Sequence, residues 1–193
     1  MGLGEKAIME LEQKLREMVD RHEIWQVLLR YARGLDRLDV ELASSCYFDD
    51  AIEDHGDFVG KPDDFIVWAN RSSMLFKSTQ HAVLNHACEL SGDNAHCETY
   101  YVFTGVAEKP PHLLSTGRYV DHFQKRDGEW RIANRVAIVE GVFDLNDSQI
   151  SRGLRMPSSY SKADAQPATR DRGDVSYQRP VRPRLPQPMR HHQ

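Results

Sequence analysis

The sequence predicts an α+β cone, a curved antiparallel sheet wrapped around N-terminal helices, followed by an extended C-terminal tail. Three observations carry this. Apolar residues recur at helical spacing over roughly the first 77 residues. From residue 79 the period changes to that of strands, in four long segments separated by turn signals. Beyond residue 145 the composition changes altogether. Helices followed by an antiparallel meander point to an α+β fold rather than to alternating βαβ units. We therefore expect a cone domain over 1–145 and a tail over 146–193.

The first segment reads as two helices. Ile8, Leu11, Leu15 and Met18 recur at helical spacing, and Asp20-Arg21-His22-Glu23 has the form of a capping box that would start a new helix. The second helix would bury Ile24, Trp25, Leu28, Leu29, Ala32 and Leu35 and end near Asp36. A short amphipathic helix follows (Val40, Leu42, Ala43, Cys46, Tyr47), then a short extended piece at Ala51-Ile52, the Asp54-His55-Gly56-Asp57 turn and Phe58-Val59-Gly60. Pro62, with Asp63 and Asp64 behind it, suits a helix start, because proline fits the first position and acids suit the dipole there. That helix should run to about Lys77. Four strands are predicted near 79–91, 95–107, 113–126 and 129–143. Ser91-Gly92-Asp93-Asn94 and Arg126-Asp127-Gly128-Glu129 read as hairpin turns.

Charge divides the chain. Residues 146–193 hold nine Lys/Arg and four Asp/Glu, a net +5, while the whole chain is −4, leaving −9 on residues 1–145. Six of the nine prolines also lie in the tail, which has too few large apolar residues to form a core of its own. The bland reading of the tail is that it lies on the acidic body, its own or a neighbour's. No aromatic-and-basic stripe, helix-turn-helix pattern or zinc spacing argues for nucleic acid. No apolar run approaches the roughly 20 residues of a membrane span, and the N-terminus lacks the layout of a signal peptide. Cys46, Cys88 and Cys97 are odd in number and widely spaced, which argues against a disulfide framework. A cytoplasmic protein is the expectation.

Four stretches carry a resemblance: Tyr31-Ala32-Arg33-Gly34-Leu35-Asp36, the Asp54-His55-Gly56 turn, Thr79-Gln80-His81 with Asn85, and Asp127-Gly128-Glu129-Trp130-Arg131-Ile132-Ala133-Asn134-Arg135. Their order over residues 20–143 resembles the nuclear transport factor 2-like superfamily, in its SnoaL-like branch of scytalone dehydratase, bile-acid dehydratase and hexachlorocyclohexane dehydrochlorinase. The resemblance implies that an acid ending the first core helix, Asp36, pairs with a strand histidine, His81. It also implies that Arg135 faces the same pocket. Tyr31 matches a tyrosine five residues before the acid in the bile-acid enzyme. The dehydrochlorinase has a lysine instead, so dehalogenation is the less expected chemistry.

The residues themselves support that reading more weakly. Asp36 stands at a helix C-terminus, where the dipole disfavours negative charge. A solvated helix end is an equal alternative, given Arg37 and Asp39 beside it. A lone histidine at position 81 is more often a satisfied core residue, but paired with an aspartate it becomes a base of fixed tautomer. Tyr31 shares an apolar helical face with Ile24, Leu28 and Leu35, and it can meet Asp36 only across a cavity at the helix end. Arg135 is expensive to bury unpaired, and its plainer readings are an exposed strand charge or a partner for a sheet acid such as Glu98 or Asp121. We add His55, Asn85, Glu98 and Tyr100 as candidate substrate contacts, although a solvent-exposed turn is the commoner home of a histidine such as His55.

No metal or other cofactor is expected. His81 and His86 are five apart on a strand and should point to opposite faces, and no His-x-His, Cys-x-x-Cys or His-Glu-x-x-His spacing occurs. The leading expectation is a cofactor-free lyase acting on a hydroxylated aromatic or polycyclic molecule, with His81 and Asp36 as base, Tyr31 assisting the departing hydroxyl and Arg135 steadying negative charge. Resemblance to diarylpropane lyases adds a branch in which a para-phenol forms a quinone methide and a carbon is lost as formaldehyde. The rivals are a ketosteroid-isomerase-like or aldol-cyclase-like enzyme with Asp36 as base, and a non-catalytic binding or assembly module. Resemblance further implies a homo-oligomer, a trimer before a dimer, and the residue patterns above lead us to expect neither nucleic acid nor membrane as partner.

Overall fold

One continuous helix, α1 (Leu3–Arg37), stands where the sequence predicts two. The computed structural model describes residues 3–146, 171–173 and 177. The helix runs through Asp20 because the sheet takes that carboxylate: Lys125 Nζ and Trp130 Nε1 both donate to Asp20 Oδ1 at 2.8 Å. A side chain held by the sheet is not available to cap a backbone N–H, and no glycine or proline lies nearby to break the helix. Only the second half of α1 enters the core, through Ile24, Val27, Leu28, Tyr31 and Leu35. Ile8, Leu11, Leu15 and Met18 are each more than half exposed, so their helical spacing marks a helix without marking a core.

The turn after α1 depends on Gly34. A Cβ there would stand 2.7 Å from the Ala43 backbone nitrogen, so only glycine lets α2 (Val40–Ser44) fold back this closely. Asp39 caps α2 by accepting from the Leu42 N–H at 3.1 Å. The helix is shorter than expected, and Tyr47 already opens strand β1 (Tyr47–Asp54). After β2 (Val59–Gly60) comes α3 (Pro62–Ser73), with proline in its first turn as predicted and its end four residues earlier.

Strands β3 (Ser78–Ser91), β4 (Asn94–Val106), β5 (His112–Arg126) and β6 (Glu129–Leu145) fall close to the predicted segments. The Asp127-Gly128 turn takes positive φ at both residues (52° and 84°), the geometry a two-residue hairpin needs. The sheet order is β2-β1-β6-β5-β4-β3, curved and not closed. It is mixed rather than antiparallel, because β1 runs parallel to β6 and sets Glu53 opposite Arg135.

A bulge in β3 decides which of its histidines share a face. Val83 faces Tyr101 while His86 faces Thr99, so three steps on β3 match two on β4. The extra residue shifts the alternation by one. His81 and His86 therefore share the inner face, contrary to the expectation from their spacing, and Leu84 and Asn85 are both exposed.

Most of the tail, Tyr160 included, lies outside the described residues. Asp171, Arg172 and Tyr177 line a recess with Arg37 to Glu41, and the Arg33 guanidinium lies 4.7 Å from the Tyr177 ring centre. No helix among the described residues is long and apolar enough to cross a membrane.

Candidate active site

Between α3 and the inner face of the sheet lies a cavity of about 250 Å³. Its walls are mainly apolar, with five aromatic rings among them (Phe65, Trp68, Tyr101, Phe103, Tyr119), and two histidines, His55 and His81, open onto it. Gly117 helps shape this wall at a register shift in β5, where a Cβ would fall 2.7 Å from the Tyr101 hydroxyl.

His81 is held by Asp36 at two points. The His81 backbone N–H donates to Asp36 Oδ2 at 2.9 Å, and His81 Nδ1 stands 2.7 Å from Asp36 Oδ1. A carboxylate only accepts, so the imidazole donates through Nδ1 and keeps Nε2 for the cavity. The end of α1 and the start of β3 are thereby joined at the residue pair the sequence singled out. Both side chains are largely buried, at 11% and 16% exposure, so the contact is shielded from bulk water.

A second histidine–carboxylate pair stands in the same cavity wall. His55 Nδ1 lies 2.9 Å from Glu53 Oε1, and the His55 ring stacks on Phe65 with centres 4.7 Å apart. Glu53 is fully buried, and its other oxygen accepts from the Tyr47 hydroxyl at 2.8 Å. Sequence reasoning missed Glu53, since an acid in Glu53-Asp54-His55 reads as part of an exposed turn. The available signal was strand alternation: Tyr47, Ala51 and Glu53 share one face of β1.

Arg135 does not line the cavity. It is 1% exposed and fully engaged behind the wall, donating to Asp121 through Nε at 2.6 Å and Nη2 at 2.8 Å, and through Nη1 to the Tyr47 hydroxyl at 3.3 Å. Tyr31 and Tyr119 cover its guanidinium, each ring centre 4.2 Å away. Burial opposes its charge, but Asp121 opposite on β5 more than offsets that and holds its pKa above the ordinary value. Of the partners the sequence offered, Asp121 is the one in place.

Tyr31 is likewise a core residue rather than a cavity residue. It is fully buried between Tyr47 and Tyr119, and burial followed by the nearby Glu53 charge pushes its phenol well above the ordinary tyrosine value. Its hydroxyl has no hydrogen-bond partner among the described residues. Glu98 and Tyr100 alternate onto the outer sheet face, where Arg118 Nη1 donates to Glu98 at 2.8 Å and lies over the Tyr100 ring. Asn85 is on the bulge and exposed. Of the eight candidates, the structure brings His81 and His55 to the cavity, holds Asp36 behind His81, places Tyr31 and Arg135 behind the wall, and leaves Asn85, Glu98 and Tyr100 outside.

Residues 16–136 match the family model described as SnoaL-like domain. No curated protein sequence matches significantly. Among solved structures, LinA superposes with a TM-score of 0.64 at 18% identity, over 70% of this chain and 95% of that one. The type 3 LinA hexachlorocyclohexane dehydrochlorinase from Novosphingobium barchaimii gives 0.63 at 17%, over 70% and 96%. A protein from Novosphingobium aromaticivorans, provisionally described as a scytalone dehydratase, gives 0.61 at 19%, over 68% and 91%. The fold is nuclear transport factor 2-like.

Proposed function

The chain belongs to the SnoaL-like domain family, and from that premise we propose that it is a lyase performing a dehydratase-type elimination on a small hydroxylated aromatic molecule. One observation carries the reading: a carboxylate grips both the backbone and the imidazole of a histidine whose remaining nitrogen meets an apolar cavity. A simple binding module has no need of that arrangement, whereas a general base does. His81 takes the proton beside the carbinol carbon, a carbon–carbon double bond forms, and the carbon–oxygen bond breaks. His55 acts from its doubly protonated form: it holds Glu53 through Nδ1 and gives the Nε2 proton to the departing hydroxyl, which leaves as water. Tyr31, buried behind the wall, is replaced by His55 in that second role.

The aromatic wall fits an aromatic ring, whose faces and edges pack well against Phe65, Tyr101 and Phe103. A cavity of about 250 Å³ lies just below the usual roughly 300–1,000 Å³ of ligand sites. One ring fits inside it with the rest of the molecule at the mouth, which favours phenolic alcohols over steroid-sized substrates. The isomerase and cyclase readings need Asp36 itself as the base. Both its oxygens contact His81 and it does not line the cavity, so those readings lose their reactive group. The experiment is incubation of the purified protein with para-hydroxyphenyl carbinols and mass analysis of the products. Loss of water supports elimination; a product of unchanged mass opposes it.

A further inference from the structure

We propose that His86, Cys88 and Cys97 form a binding site for one thiophilic d¹⁰ cation, of the Zn²⁺ or Cu⁺ type, separate from the cavity. The bulge in β3 carries the idea, because it turns His86 and Cys88 onto the inner face beside Cys97, which is paired directly opposite Cys88. One ligand atom from each of the three residues lies within 4.8 Å of the others. Ligand atoms about 2.1–2.3 Å from zinc stand roughly 3.4–3.8 Å apart, so the triangle closes with side-chain adjustments of about an ångström.

The imidazole is prepared for the role. His86 Nδ1 is 2.8 Å from Thr99 Oγ1, the second-layer hydrogen bond that commonly orients a metal-binding histidine. Its Nε2 is buried and has no hydrogen-bond partner among the described residues. A buried polar nitrogen left unsatisfied costs stability, and a metal bond removes that cost. Trp25 packs on the His86 ring at 5.3 Å, and Arg21 donates to the Cys88 carbonyl, so α1 covers the site. Cys88 is only partly buried and leaves an entry path. Asp121 cannot serve as a fourth ligand because Arg135 takes both its oxygens. A set of two cysteine sulfurs and one imidazole selects soft cations over Mg²⁺ or Ca²⁺, and both sulfurs bind the metal as thiolates. Five residues along a strand put this site about 15 Å from His81, so it is expected to steady the fold rather than the reaction.

The test uses the reduced full chain. Zn²⁺ is titrated against a chromogenic chelator, Cu⁺ against a copper(I)-specific chelator, and Co²⁺ is added as a spectroscopic probe of thiolate ligation. One equivalent of Zn²⁺ or Cu⁺ should bind, with cobalt–thiolate charge-transfer bands and a higher melting temperature. His86→Gln, Cys88→Ser and Cys97→Ser should each weaken binding at least tenfold, while Cys46→Ser, whose thiol sits elsewhere in the core against the Val27 carbonyl, should not. Failure of the wild-type chain to compete for either ion would overturn the proposal. So would equally tight binding by Cys88→Ser and Cys97→Ser, or loss of two thiols to a Cys88–Cys97 disulfide without metal uptake.

Discussion

Two charged assemblies lie within the same sheet, and they differ in what they face. Arg135 and Asp121 are each about 1% exposed, bound at two points and roofed by tyrosines. Asp36 and His81 are also bound at two points, but the imidazole opens onto a cavity. A buried pair joined at two points and sealed from the cavity has nothing to offer a ligand. A pair with one nitrogen left over can exchange a proton. Family likeness alone put Arg135 and His81 in one pocket; the hydrogen bonds separate them.

The comparison breaks first on activity. His81→Gln and Asp36→Asn are expected to reduce turnover by about 10²–10⁴-fold with melting temperatures close to wild type. Steady-state rates beside thermal melts check this. Near-normal turnover in either variant would mean that the cavity pair is structural after all.

The sealed pair should fail in the opposite way. Arg135→Met leaves Asp121 buried and unpaired and should cost about 3–5 kcal/mol, read by denaturant unfolding. Replacing both, as Arg135→Met with Asp121→Leu, should recover much of that loss, because a well-packed apolar pair substitutes for a buried ion pair. No such rescue of turnover is expected for His81 and Asp36, because an apolar pair cannot carry a proton. His55→Gln should lower turnover by about 10²-fold and Glu53→Gln by less, since Glu53 acts through His55.

Asp20 gives a smaller effect. Burial raises its carboxyl pKa, but hydrogen bonds from Lys125 and Trp130 outweigh that and hold it below the ordinary 3.8. A lowered folded pKa means a contribution fully present above the unfolded value and lost as pH falls through the folded one. Wild type should therefore lose stability below about pH 4 more steeply than Asp20→Asn, as acid titration of unfolding would show. Smallest of all, Tyr177→Ala should remove about 0.5–1 kcal/mol with its stacking on Arg33.

Much of this architecture was legible in local chemistry. Asp127-Gly128 and Gly92 mark the hairpins, and the shift to period two marks the strands. What stayed hidden depends on distant pairings. Asp20 looks like a helix cap until the sheet's Lys125 and Trp130 claim it. The parallel contact of β1 with β6 carries no turn signal, so Glu53 looked solvated. One extra residue near Leu84-Asn85 reverses the faces of everything after it, so spacing alone misplaced His86 relative to His81. The same bulge hid the grouping of His86 with Cys88 and Cys97, which no linear motif spells.

The central claim, that His81 and Asp36 act as one catalytic unit in an elimination, is tested most directly by a double-mutant cycle. Turnover of a para-hydroxyphenyl carbinol is measured, with the product's mass, for wild type, His81→Gln, Asp36→Asn and the double variant. The account predicts a dehydrated product and a double variant hardly slower than the worse single one, because removing either member already disables the unit. Fully additive losses, or a product that has kept the substrate's oxygen and mass, would contradict it.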